Sequence, residues 1–251
     1  AEMIAGSEEA FVGLMNERAQ QLEMTNTHFV NATGLDAEGH VTTARDIATM
    51  SRELLRHPKI TEYSSVWMSE LRDGQTQLVN TNKLVRFYDG CTGLKTGTTN
   101  GAGSCLSASA TRKGMSLVAV TLGSPTSAER FSAARGLLDY GFANYTRVEL
   151  PPLEGLDAVP VRHGVAQEVS VLSETPGAVI VKASDKDAIE QQAELLEDVE
   201  APVEAGQMLG KVTVRVGESV LCEYNLVAAE GVERMTFGNA LKELLCRLVA
   251  M

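Results

Sequence analysis

The heptapeptide Gly93-Leu94-Lys95-Thr96-Gly97-Thr98-Thr99 sets a fixed cation, hydroxyl groups and a bare glycine side by side. Lys95 and Thr96 suit a small carboxylate, which binds best through charge-assisted hydrogen bonds. Gly97 has no side chain, so a ligand backbone can approach the chain closely there. On an edge strand, the same residues could take up an extended peptide by β-addition. The backbone N–H of Thr98 could then face a developing oxyanion. A phosphate loop is excluded, because that motif needs glycine where Leu94 stands. As a tripeptide of common residues, Lys-Thr-Gly is also compatible with a polar strand end and a turn.

The elements that must position these residues are legible around them. Gly93–Thr98 and Gly103–Ala110 flank Thr99-Asn100-Gly101-Ala102, which predicts an antiparallel hairpin. Met115–Leu122 follows the Lys113-Gly114 turn as a third strand. A helix over Ser127–Phe142 comes next, with Phe131, Ala134, Leu137, Leu138 and Tyr140 as its expected sheet-facing stripe. Upstream, Ser7 is placed to cap a helix reaching Leu22, with Glu8 and Glu9 at its positive end. Thr27–Asp36 has no helical period and reads as a structured loop. Thr43-Ala44-Arg45-Asp46 is a capping box, and its helix stops at His57-Pro58. Helices before and after an antiparallel sheet define an α+β domain over residues 1–147.

Composition shifts at Tyr145–Pro152 to a Val-rich, turn-rich and acidic chain. The net charge of −11 is concentrated there: residues 149–206 hold 13 acidic and 3 basic side chains. That block disfavours a nucleic-acid partner and reads as a solvated surface. Strands are predicted at Val159–Val161, Glu168–Leu172, Ala178–Val181, Leu209–Val216 and Ser219–Asn225, making residues 148–232 a small β-rich domain. Over residues 233–251, Met235, Phe237, Leu241, Leu244, Leu245, Leu248 and Val249 cluster on one side of an amphipathic helix. Such a helix can lie in a membrane interface or dock on its own β-domain. The four cysteines and four histidines have no metal-ligand spacing, and no metal or other cofactor is expected.

Four blocks together carry a resemblance. Thr27–Asp36 is similar to T-H-F-x-N-x-x-G-L-D, Thr43–Ala48 to T-A-R-D-M-A, Gly93–Thr99 to G-x-K-T-G-x-T, and Gly103–Ala110 to the strand that follows. In this order and spacing they resemble the serine D-Ala-D-Ala carboxypeptidases, the low-molecular-mass penicillin-binding proteins of bacterial cell walls. The resemblance implies a partial penicillin-binding or β-lactamase-like domain, a β-rich domain and a membrane-associating helix through residues 235–251. It implies a peptidoglycan stem peptide ending in D-Ala-D-Ala as substrate, β-lactams as inhibitors, and a place on the outer face of the cytoplasmic membrane. Lys95 and Thr96 would then anchor the terminal carboxylate, Gly97 would give the substrate backbone room in the same binding site, and the Thr98 N–H would be half of the oxyanion hole. Arg130 falls where the family has a second carboxylate-binding arginine; a surface ion pair at the helix start is the other reading of that residue. A class A β-lactamase fits less well, because such enzymes lack a β-rich second domain.

The same resemblance exposes two gaps. The family's nucleophile and base lie in Ser-x-x-Lys, followed by Ser-x-Asn; neither occurs in the 251 residues. The expectation is a chain that begins downstream of both motifs, has no nucleophile and cannot form an acyl-enzyme alone. A non-catalytic protein that binds peptidoglycan peptides is the alternative. An extracytoplasmic place would permit disulfides. Cys91 and Cys105, whose numbers add to the same register as 95 and 101, are then a candidate cross-strand pair.

Overall fold

The computed structural model describes residues 1–241 and divides the chain at Asn144/Tyr145 into two compact units. The first contains α1 (Glu2–Ala5), α2 (Glu8–Gln21), α3 (Ala44–Leu55), α4 (Lys59–Ser64), the hairpin β1 (Met68–Leu71) and β2 (Thr76–Val79), and α5 (Leu84–Phe87). The sheet strands β3 (Cys91–Thr99), β4 (Gly103–Arg112) and β5 (Met115–Ser124) follow, and then α6 (Ser127–Asn144).

Side chains read as caps act as caps. Ser7 Oγ accepts from the Ala10 N–H at 3.0 Å, and Thr43 Oγ1 from the Asp46 N–H at 3.1 Å. Asp46 itself turns to the preceding loop, where its Oδ2 accepts from the Thr27 hydroxyl at 2.7 Å and the Asn26 N–H at 3.0 Å. These donors stabilise the ionised form and hold the Asp46 carboxyl below the usual range. Asn16 brackets Phe29 from both sides of its backbone, at 2.8 Å each. The loop from Thr25 to Thr42 is thus held by side chain-to-backbone bonds together with a backbone bridge between His28 and Val41.

The sheet runs β3-β4-β5, all antiparallel, with β4 central. Alternation along β4 assigns its two faces. Leu106, Ala108 and Ala110 pack with Ala134 and Leu138 of α6. On the other face Ser107 Oγ lies 2.7 Å from Ser51 Oγ of α3, both buried. The sheet is therefore a middle layer between α3 and α6. At one end, the Arg112 guanidinium sits over the Tyr88 and Phe142 rings, and the Tyr88 hydroxyl donates to Asp139. Burial and that carboxylate push the Tyr88 phenol up to about 12.

The α6 stripe differs from the expected one. Ala134 and Leu138 are buried and Phe131 packs against them, but Leu137 and Tyr140 are 50% and 61% exposed. Gly141 completes the buried face instead. A Cβ there would come within 2.5 Å of Leu117 Cδ1, so the absence of a side chain lets α6 lie close to β5.

The second unit begins with β6 (Tyr145–Glu149), followed by β7 (Val159–Arg162), β8 (Glu168–Val169), β9 (Val171–Ser173) and β10 (Ala178–Lys182). It continues with β11 (Ile189–Leu195), β12 (Val199–Glu200), β13 (Met208–Val216) and β14 (Ser219–Ala228). One sheet is ordered β11-β13-β14-β9, a second β12-β7-β8, and β6 pairs with β10. Val159, Val161, Val169 and Leu209 belong to one core, and Val212, Val214, Tyr224 and Leu226 to another. The single strand expected over Glu168–Leu172 is divided at Ser170 between two sheets. Inside the acidic block, Ile189–Leu195 forms a strand that lies against β13. A helical turn starts at 237, where Thr236 Oγ1 accepts from the Asn239 N–H at 3.2 Å. The membrane-associating helix expected over 233–251 falls largely on residues 242–251, outside the described residues. Among the described residues no helix is long and apolar enough to cross a membrane.

Candidate active site

β3 is an edge strand: β4 pairs with one side, and no strand pairs with the other among the described residues. Its register is Lys95↔Ser107, Thr96↔Leu106, Gly97↔Cys105 and Thr98↔Ser104. Lys95 and Gly97 therefore share the α3 face of the sheet, and Thr96 and Thr98 the α6 face. Lys95 is exposed, and its ammonium folds back to donate to the Thr96 carbonyl. Thr96 is buried, and its Oγ1 lies 2.7 Å from Thr81 Oγ1 in the segment before α5. Thr81 was not legible as a site neighbour, because nothing in its local pattern ties it to β3.

Arg130 is 7% exposed and makes no ion pair among the described residues, which removes the surface ion-pair reading. Its Nη1 donates to the Gly97 carbonyl at 3.0 Å, to Thr98 Oγ1 at 3.0 Å and to the Cys105 carbonyl at 3.3 Å. The guanidinium stacks 4.9 Å from the Phe131 ring centroid, and Nε is buried without a partner. The first turn of α6 thus delivers a cation to the strand positions singled out in the sequence.

The far end of the hairpin is tied to the Thr27–Asp36 loop. Asp36 Oδ2 accepts from the Gly101 N–H at 3.0 Å, and the Thr99 side chain bonds the same carboxylate. A Cβ on Gly101 would sit 3.2 Å from Asp36 Oδ1, so glycine permits the close approach. Leu35, Asp36, His40, Thr99, Cys105 and Leu122 help line an open cavity of about 700 Å³ at this junction. The Thr99 and Gly101 bonds hold the Asp36 carboxyl below the usual range. A depressed carboxyl keeps the tether intact above the unfolded value of about 3.9 and loses it as pH falls through the folded value. The Gly101 amide proton resonance is expected to titrate with an inflection below pH ~4 that Asp36→Asn abolishes. A flat profile in the wild-type chain would refute the tether.

The cysteine pairing fails on register. Cys91 lies opposite Ala110 and Cys105 opposite Gly97, six positions further along β3. That offset is about 20 Å at strand rise, far beyond the reach of a disulfide. Cys91, Cys105 and Cys222 are free thiols, and burial pushes the Cys91 and Cys222 thiols up. Cys246 lies outside the described residues.

Residues 1–126 match the D-alanyl-D-alanine carboxypeptidase family, and residues 154–234 match the C-terminal domain of penicillin-binding protein 5. The chain is 35% identical over 253 residues to the D-alanyl-D-alanine carboxypeptidase DacF of Bacillus subtilis, covering 98% of this chain and 64% of DacF. It is 33% identical over 240 residues to DacC of Escherichia coli, covering 94% and 60% respectively. The chain thus spans under two thirds of the length of these relatives. Among solved structures, penicillin-binding protein 5 of Haemophilus influenzae superposes with a TM-score of 0.78 at 27% identity, covering 93% of this chain and 69% of that one. Penicillin-binding protein D2 of Listeria monocytogenes, in a cefotaxime-bound form, gives 0.50 at 35% identity over 53% and 55%. With half of its length matched by the family and the fold shared with solved penicillin-binding proteins, the chain belongs to the D-alanyl-D-alanine carboxypeptidase family.

Proposed function

We propose that this chain supplies the carboxylate-binding strand of a D-alanyl-D-alanine carboxypeptidase that removes terminal D-Ala from peptidoglycan stem peptides. The observation that carries this reading is the open edge of β3, with Lys95 exposed on it and Arg130 buried behind it. A stem peptide would add along that edge. Its terminal carboxylate would take Lys95 in place of the Thr96 carbonyl, and Arg130 would contribute a second positive charge from beneath Thr98. Thr96 would join by accepting from the Thr81 hydroxyl and donating its own O–H to the carboxylate, since either oxygen of that pair can be the donor. Gly97 leaves room for the ligand backbone, and the Thr98 N–H would stabilise the tetrahedral oxyanion.

The attacking serine and its base must come from outside the 251 residues, since no Ser-x-x-Lys is present. Losing nucleophile and base together costs many orders of magnitude in rate. The 251-residue chain is therefore expected to bind but not to react. Incubated with a fluorescent penicillin and denatured, it should show no covalent band. A covalent band would contradict the absence of a nucleophile. Titration with N-acetyl-D-Ala-D-Ala should shift the amide resonances of residues 95–99, and unmoved resonances would remove the site. A purely binding protein is the second reading, favoured by the same missing motif. It would be separated from the first by D-Ala release once a Ser-x-x-Lys segment of the family is joined upstream. The reading also places the chain outside the cytoplasm, resting on the membrane through residues 235–251.

A further inference from the structure

The peptide unit that joins Gly97 to Thr98 carries both the carbonyl that Arg130 grips and the N–H assigned to the oxyanion. In a trans peptide these two groups point in opposite directions within one plane. Fixing one therefore aims the other.

The direction follows from the bonds of Arg130. Gly97 and Cys105 are partners across β3 and β4. One nitrogen, Nη1, reaches both of their carbonyl oxygens, at 3.0 Å and 3.3 Å. Carbonyls on the far edges of the two strands would be separated by the strand spacing of ~4.8 Å plus the outward reach of both C=O groups, too far for a single donor. Both carbonyls therefore face the gap between the strands. The Thr98 N–H then points the other way, to the open edge of β3.

We infer that Arg130 is a positioning residue that fixes the plane of the Gly97–Thr98 peptide and turns the Thr98 N–H toward the open edge of β3. This goes beyond the charge that Arg130 offers a carboxylate, and its use in catalysis rests on the function proposed above. A cation on the carbonyl also polarises the peptide and strengthens its N–H as a donor, as in any chain of hydrogen bonds. The arginine is itself held on several sides. Its own N–H donates to the Thr126 carbonyl at 3.2 Å, Thr121 Oγ1 approaches its carbonyl at 3.5 Å, and its guanidinium lies against Phe131. Glu129, the adjacent acid, is occupied by the Thr126 N–H and leaves the guanidinium to the strand.

Nuclear magnetic resonance on the 251-residue chain tests this without relying on turnover. The wild-type chain should show a through-hydrogen-bond correlation between the Arg130 guanidinium nitrogen and the Gly97 carbonyl carbon. Thr98→Val removes one of the three acceptors and should leave that correlation in place. Arg130→Lys should move the Gly97 carbonyl and Thr98 amide resonances, the latter upfield, while Leu106 and Leu138 methyl resonances stay put and report an intact core. A folded wild-type chain without the correlation overturns the inference. So does an Arg130→Lys chain whose Gly97 and Thr98 resonances do not move. A chain that shows the correlation but whose Thr98 amide ignores N-acetyl-D-Ala-D-Ala keeps the positioning role and loses the binding reading.

Discussion

Lys95→Ala is expected to lower the affinity of this chain for N-acetyl-D-Ala-D-Ala by about 10- to 100-fold. A hydrogen bond to a charged group is worth about 1.5–3 kcal/mol, and each ~1.4 kcal/mol is tenfold in affinity. Lys95 is exposed, so water and salt screen its charge and favour the lower end of that range. Wild-type affinity should accordingly weaken as ionic strength rises, and the salt dependence should be shallower in the variant. Calorimetric titration at two salt concentrations reads both effects. Lys186→Ala, in the acidic second unit, serves as the control and should bind like wild type. Equal affinities for the wild-type and Lys95→Ala chains would end the assignment of the carboxylate to this strand.

Leu138→Ala is expected to cost about 2–5 kcal/mol in folding stability, and Leu137→Ala no more than about 0.5. The two residues are neighbours of the same type on one helix. Leu138 is 1% exposed and packs with Leu106, Ala108 and Ala134, whereas Leu137 is half in water. Removing the Leu138 side chain leaves a cavity between α6 and the sheet; removing Leu137 leaves a slightly smaller surface. Denaturant unfolding of the three chains decides the point through their midpoints. Similar midpoints for the two variants would mean that α6 is rotated from the position described.

The Leu137/Leu138 contrast also shows where sequence reading lost resolution. Helical spacing identified α6, but both leucines and Tyr140 satisfied an apolar stripe. Only the fit of Gly141 against Leu117 fixes which side of the helix is turned in. Caps were legible because Ser7 and Thr43 act on backbone groups three residues away. The β3–β4 hairpin was legible from its turn, yet its register was not. The turn closes between Thr99 and Gly103, which sets Cys105 against Gly97. In the second unit, Ile189–Leu195 was missed because Glu190 and Glu194 are exposed on a strand whose other side meets the core through Ile189 and Leu195. Its polar composition concealed its pairing. The motif block around Lys95 gave the right strand, but strand alternation puts Lys95 and Thr96 on opposite faces. The burial of Arg130 ran against residue type, since arginine is rarely buried unless paired.

An unpaired strand edge is an invitation to any extended chain, including a second copy of the same protein. β3 is nine residues long and lacks a strand partner on one side among the described residues, though Ser64 already donates to the Thr92 carbonyl. From Lys95 to Thr99 the strand is rich in small or β-branched side chains that suit cross-strand packing. Lys95 stands at the middle of the strand. An antiparallel copy laid against β3 and centred there would bring two ammonium groups together across the new ladder, and like charges directly opposite are destabilising. A ligand that ends in a carboxylate meets the reverse situation. On the function proposed above, one side chain would sort what adds to the strand, admitting an anionic peptide end and turning away its own twin.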